Sequence, residues 1–315
     1  MNPIAILGSG FGLYGYLPAL VAHCGRQVVL PERYRERFEA RSELAEFAPH
    51  VHWARDEASA LHGAAGVVLA LCPRMQSYWL AVCLAKPHLE CLLLEKPLAT
   101  NPDAALHWHN RLESSGKVIR IAYLFRYLDW AMEIRNAIAH VTSNRLTVCW
   151  HFLAHHIRHG LSSWKRDHDH GGGAIRFYGI HIIALLAEMG YSSVIQSFTS
   201  GCAKGEPSRW NAVFAGTGLP DCEVELDSAS PENRFSIISD ASSAGAFRLE
   251  QADPFVGSQE LALAGAVDRR VATLGRFCQS AWSDPRPMQD FYRPAIELWQ
   301  ALERCNGAKL ASAAA

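Results

Sequence analysis

Near its amino terminus the chain reads Gly8-Ser9-Gly10-Phe11-Gly12, a glycine density whose chemistry is anion binding. Bare backbone lets N–H groups approach a phosphate, and a helix starting there adds its positive end. Two registers compete. Gly10-x-Gly12-x-x-Gly15 satisfies the G-x-G-x-x-G spacing but would put Gly8 and Ser9 inside the preceding strand. Starting at Gly8 fits the end of the apolar run Ile4-Ala5-Ile6-Leu7 better, with Leu13 at the third glycine position, and this second register is preferred. There Gly8 makes the tight turn and Gly10 admits a pyrophosphate, with Ser9, Phe11 and Gly12 completing the cofactor loop. A dinucleotide loop needs an acid about twenty residues on, at the end of the second strand, to bond the ribose hydroxyls. Glu32 stands twenty residues after Gly12 and directly follows Val28-Val29-Leu30-Pro31. Its carboxylate favours NAD and repels a 2′-phosphate. Arg33 and Arg35 beside it could pair with that phosphate, which leaves NADP open.

A second concentration of chemistry is the histidine-rich stretch His151, His155, His156, His159, His168 and His170. His155 and His159 have i,i+4 spacing, but no acid or cysteine completes an evident ligand set. No metal is expected, and the segment reads as polar, substrate-facing or interfacial. Arg158, Lys165, Arg166 and Arg176 nearby would clamp a carboxylate or phosphate, or stand as solvated surface charges. Both readings stay open. The 9 cysteines include no C-x-x-C pair, so neither zinc nor a disulfide framework is signalled.

The elements that must position these residues change character along the chain. Apolar runs at Ile4–Leu7, Val28–Leu30, Gly66–Leu71, Cys91–Leu94 and Val118–Tyr123 alternate with helical patterns. Among these are a charged helix over 34–44 and helices over 75–85 and from Asn101-Pro102 to before Gly116. Strands apolar on both faces imply a parallel sheet covered on both sides. After about residue 125 the pattern differs. A strand over 145–152, a helix over 173–188, alternating runs at 222–227, 234–239 and 246–250, and a terminal helix over 287–305 describe an α+β domain. The expected fold is therefore an α/β Rossmann domain with a parallel sheet (1–125) plus an α+β C-terminal domain with a mostly antiparallel open sheet (126–305), then a flexible tail (306–315). At 315 residues, two packed domains fit the length. A net charge of -1 removes the electrostatic case for nucleic acid, and no apolar run is long enough for a membrane span. With no basic region or cleavage site ahead of the first strand, a cytoplasmic protein is expected.

From Leu94-Glu95-Lys96-Pro97-Leu98 onward the sequence resembles the Gfo/Idh/MocA family, relatives of glucose-fructose oxidoreductase and inositol 2-dehydrogenase. Further points of resemblance are the N-terminal loop with Leu17-Pro18-Ala19-Leu20, the turn Cys72-Pro73, and Arg126 in Leu124-Phe125-Arg126-Tyr127. In the second domain they are Trp164-Lys165, Gly171-Gly172-Gly173-Ala174-Ile175 and Gly179-Ile180-His181. The resemblance covers nearly the whole chain. It implies an NAD(P)-dependent oxidoreductase acting on a sugar-like or other small carbonyl or alcohol metabolite. It implies that Lys96 and His181 handle the hydroxyl proton, with Lys96 on a strand-to-helix loop where its pKa would be depressed. Cys72, Pro73, Glu95, Lys96 and Arg126 join the cofactor site, while Lys96, Trp164, Lys165, Phe177 and His181 line the substrate. A homodimer or homotetramer through the C-terminal sheet is implied as well.

The departures are specific. Phe177 stands where the family commonly has aspartate four residues before the histidine, Ala184 stands where an acid or histidine often occurs, and Arg74-Met75-Gln76-Ser77 lacks the usual histidine. An aromatic wall there implies a less hydroxylated substrate, a shifted acid such as Asp167 or Asp169, or lost activity. Two alternatives arise: tightly held NAD with no net redox, and a catalytically lapsed dinucleotide-binding protein.

Overall fold

The chain is described by a computed structural model over residues 2–138, 145–203, 205–240, 246–255 and 268–312. The described residues form two compact units, one from Met1–Ala99, His107–Tyr127 and Gly257–Gln289, the other from Thr100–Leu106, Leu128–Val256 and Asp290–Ala315.

The first unit is built on six parallel strands: β1 (Ile4–Leu7), β2 (Val28–Pro31), β3 (Val51–Ala54), β4 (Gly66–Leu69), β5 (Cys91–Leu94) and β6 (Val118–Ile121). Their order is β3-β2-β1-β4-β5-β6. Every residue of β1, β2, β4 and β5 is buried, which is why these strands carry continuous apolar runs rather than an alternation. The edge strand β3, only part-buried, has no such run and is invisible to that signal. Helices α1 (Arg35–Glu39), α2 (Glu57–His62), α3 (Pro73–Leu84) and α4 (Pro102–Glu113) come after strands or turns. The charged helix expected over 34–44 ends at Glu39, and 3-10 turns take over at Ser42–His50. Asn101 caps α4 as its position implies, its side chain accepting from Ala104 N–H at 2.8 Å with Pro102 as first helical residue.

After the glycine loop the backbone winds into two wide π-helical segments, Gly12–Tyr16 and Ala19–His23, flanking Leu17-Pro18. Leu17 N–H reaches back five residues to the Gly12 carbonyl. Pro18 has no N–H to give, and the wide turns accommodate that gap without ending the helix.

The second unit holds β7 (Arg145–Leu153), β8 (Ser193–Ala203), β9 (Glu206–Ala215), β10 (Asp221–Asp227), β11 (Ala229–Ser239) and β12 (Arg248–Gln251). They form one sheet in the order β12-β11-β7-β10-β9-β8, antiparallel throughout except for the β7–β10 pair. Its helices include α5 (Asp129–Ile138), α6 (His155–Arg158) and α7 (Ile180–Glu188). All of α7 except Glu188 is buried, as an all-round apolar helix must be. In the long β8–β9 hairpin β9 alternates in burial, but β8 does not, because it is bulged near Val194 and again near Gly201.

Helix α8 (Val271–Ser283) returns to the first unit, after the boundary expected at residue 125. Arg120 of β6 holds this return. Fully buried, it donates to the carbonyls of Ser280, Asp284, Arg286 and Pro287. Helix α9 (Tyr292–Ser312) packs on α7 and β8, starting later and running further than the expected 287–305. No helix among the described residues is long and apolar enough to cross a membrane.

Candidate active site

The three glycines of the first loop answer to different constraints. Gly8 sits at φ +129°, and a Cβ there would lie 2.2 Å from the Ala70 carbonyl oxygen. A Cβ at Gly12 would stand 2.8 Å from Ile6 Cγ2. Both are therefore required by close packing around β1, Gly8 against the backbone just past β4 and Gly12 against β1 itself. At Gly10 a Cβ would meet no atom within 4 Å among the described residues, its chain neighbours aside. Packing does not require glycine there, and the bare backbone leaves room for a group such as a pyrophosphate to approach. Gly15, third in the alternative register, has a packing role of its own: its missing Cβ makes room for the Phe11 ring. The Gly8 N–H is already used, donating to Tyr34 Oη at 3.1 Å.

Glu32 stands on a single 3-10 turn directly past β2, with its side chain half exposed. Hydrogen bonds from Arg35 hold its carboxyl below the ordinary carboxylate range. Arg33 is tied to Glu57 in an ion pair. Arg37, which no sequence motif marks, donates to Ser9 Oγ of the loop at 2.9 Å.

At the carboxyl end of β4, Cys72 is the N-cap of α3 and Pro73 its first residue. One turn on, Gln76 is fully buried and clamps the next loop. Its amide donates to the carbonyls of Glu95, Pro97 and Leu98 at 2.8, 3.3 and 3.2 Å and accepts from Glu95 N–H at 3.0 Å. Half-buried Lys96 is thus carried on a turn whose backbone is pinned on both sides of it, with the Lys96–Pro97 peptide cis. Tyr16 Oη donates to Glu95 Oε1 at 2.6 Å, joining this turn to the helix of the glycine loop. Arg126 lies half-buried on the turn Leu124–Tyr127 just past β6. Arg270, ahead of α8, lies 4.2 Å over the Phe11 ring and is held by Asp268 through paired bonds of 2.8 Å.

In the second unit, the triple glycine permits one tight loop. A Cβ at Gly172 would come within 2.2 Å of the Trp164 carbonyl oxygen, and Gly173 at φ +78° would collide with Pro207. The loop delivers Trp164 edge-on to Phe177, centroids 5.3 Å apart, and Lys165 Nζ to 5.3 Å from the same ring. Tyr178 meets Phe177 at 4.8 Å and stacks on buried His156 at 6.1 Å. Phe177 thus belongs to an aromatic group, and His181 comes four residues later, buried on α7. Asp167, one acid considered as a substitute, caps the turn His168–His170 and pairs with His170 at 2.7 Å.

The four cations of the proposed anion clamp separate. Arg176, buried, is bidentate to Glu303 and donates to the carbonyls of Thr100 and His168. Arg166 pairs with Glu206, and Arg158 is exposed. Of the four, Lys165 is the one that turns to Phe177. The histidine stretch is likewise divided among β7, α6 and the His168–His170 turn.

No family model and no curated protein sequence matches this chain. Solved structures do. The WlbA dehydrogenase from Bordetella pertussis, in complex with NADH and UDP-GlcNAcA, superposes at TM-score 0.76 with 15% identity, covering 98% of this chain and 97% of its own. GenD2 from gentamicin A biosynthesis, in complex with NAD, gives 0.74 and 16%, covering 98% and 95%. KijD10, a 3-ketoreductase from Actinomadura kijaniata with bound NADP, gives 0.70 and 14%, covering 97% and 98%. The fold of this chain, Rossmann unit and second sheet together, is that of these dehydrogenases and ketoreductases.

Proposed function

We propose that the chain is an NAD(P)-dependent oxidoreductase of the Gfo/Idh/MocA kind acting on a CH–OH or C=O group of a sugar-like metabolite, free or nucleotide-linked. The observation that carries this is the coupling of loop and lysine: Gly10 open to an incoming phosphate, and the Lys96 turn locked by Gln76 and joined through Tyr16–Glu95 to the same helix. The residues present fit a dinucleotide. Gly8 to Gly12 would hold its pyrophosphate, Glu32 its ribose, and Cys72, Pro73, Glu95, Lys96 and Arg126 the nicotinamide half. Arg33 is committed to Glu57, so NAD is the expected partner, while Arg37 beside Ser9 keeps NADP in play.

A bound nicotinamide would supply hydride exchange; the residues of this chain supply the proton and the pocket. Lys96 Nζ and the His181 imidazole are assigned to take up and return the hydroxyl proton. Trp164, Lys165 and Phe177 are assigned to the substrate. An aromatic face suits the C–H side of a sugar ring, and WlbA is a neighbour whose complex holds such a ligand. Residues 1–125 are assigned to the cofactor and 126–305 to substrate and self-association as a homodimer or homotetramer through the open sheet, where Ile195 and Phe198 are 57% and 56% exposed. The described cysteine side chains are all free thiols, which suits a reducing cytoplasm.

The test is turnover of NAD or NADP with a panel of sugars and nucleotide-linked sugars, followed at the reduced-nicotinamide absorbance. Lys96→Ala is expected to lose about 10²–10⁴-fold in kcat at saturating cofactor. Unchanged turnover in that variant would remove Lys96 from the mechanism. Tight NADH binding with no turnover of any panel member would replace the oxidoreductase reading with a binding protein.

A further inference from the structure

On the face of the second sheet turned away from Tyr178, a sulfur, an imidazole and a carboxylate converge. β7 alternates. Trp150 and Phe152 point to the side where Tyr178 packs, at 6.0 and 4.8 Å, so Cys149 and His151 occupy the other face together. The parallel neighbour β10 sets Glu225 opposite Cys149. One donor atom from each of Cys149, His151 and Glu225 lies within 4.8 Å of the others, and His151 Nε2 is 3.0 Å from Glu225 Oε1. Ligand atoms in a tetrahedral zinc site stand about 3.5 Å apart, so closing this set takes side-chain rotation of about an ångström and no movement of strands.

We propose that Cys149, His151 and Glu225 form a mononuclear site for a thiophilic divalent cation of the zinc class, with water at the fourth position.

The donor set is mixed sulfur, nitrogen and oxygen, which favours zinc over calcium or magnesium. Of the acids β10 sets on this face, Glu223 is matched by Arg145 and Asp227 by Arg209, while Glu225 pairs with His151 itself. The thiol is set back and the carboxylate is outermost: in the single chain Cys149 is 6% exposed and the Glu225 side chain 56%. Binding forms a metal–sulfur bond and releases the Cys149 proton to water, with the imidazole bound through its unprotonated nitrogen. The ion would staple the only parallel strand pair among the described residues of this sheet, on the face opposite Tyr178. The site is independent of the dinucleotide reading.

The test uses the full chain, free of any affinity tag and stripped with chelator. Titration with Co²⁺ is expected to give a thiolate-to-cobalt charge-transfer band and tetrahedral ligand-field bands saturating at one ion per chain, displaced by Zn²⁺. Cys149→Ser should abolish the charge-transfer band, and Cys149→Ser and His151→Ala should each weaken Zn²⁺ at least tenfold. NADH affinity should stay unchanged in both. Absence of the band in the native chain, or a Cys149→Ser chain that binds Zn²⁺ as tightly as the native one, overturns the proposal. Circular dichroism of the metal-free variants separates loss of a ligand from loss of the fold.

Discussion

Gly8 and Gly10 stand two residues apart, yet close packing requires glycine at the first and not at the second, which leaves Gly10 to the proposed ligand. Gly8→Ala forces a Cβ onto the Ala70 carbonyl at a positive φ, and is expected to cost about 1–3 kcal/mol of stability in chemical denaturation. Gly10→Ala meets nothing, so its stability should stay within about 0.5 kcal/mol while NADH affinity falls. Equal destabilisation by both would undo the distinction. The glycine loop, Glu32 and Lys96 could be proposed from the sequence because their signals are local strings. Gln76 was not: its carbonyl and amide partners are 19 to 22 residues away, and in the sequence it registers only as the absence of a histidine. Gln76→Ala strands the Glu95 N–H and loosens three carbonyls, an expected loss of about 1–3 kcal/mol with kcat falling alongside. A variant of native stability and turnover would show that the Lys96 turn stands without it.

At the scale of elements, the sheets arise from side-chain pattern and the exceptions from its absence. Strands buried on both faces announce themselves as apolar runs. β3, at an edge, and the bulged β8 do not, because half-exposed or shifted strands lose the period on which recognition depends. The winding around Pro18 was readable as a conflict but not as its outcome, since a wide turn and a kink are both ways for a helix to pass a residue that has no N–H. Between elements, the buried Arg176–Glu303 pair holds α9 to the helical turn that begins just past Gly173, and Trp299 Nε1 donates to the same carboxylate at 2.7 Å. Glu303→Gln leaves Arg176 buried without its counter-charge, an expected loss of about 3–5 kcal/mol. A loss below about 1 kcal/mol in urea unfolding would show that the pair is not a structural anchor.

Across the whole molecule, the return of α8 to the first unit was not legible in the sequence: the buried Arg120, among the residues that hold it, has carbonyl partners 160 to 167 residues away. Stability as a whole should carry the mark of His156. Burial, then the charges of Lys165 and Arg166, lower it from 6.5 to about 4. The unfolded chain takes up that proton near pH 6.5 and the folded chain only near 4. Stability is therefore fully present above pH 6.5 and falls on acidification to pH 4, by about 3 kcal/mol from this group. His156→Phe should remove this slope, so that the native-minus-variant difference shrinks steadily between pH 7 and 5; a difference that stays constant would return His156 to an ordinary titration. The central claim, a dinucleotide held on the backbone at Gly10, is tested most directly by titrating NADH into the intact chain beside Gly10→Ala and following nicotinamide fluorescence. The expected result is saturable binding, one NADH per chain, weakened at least about tenfold (1.4 kcal/mol) by Gly10→Ala with the fold intact. No saturable binding by the native chain, or equal affinity in the two proteins, would contradict it.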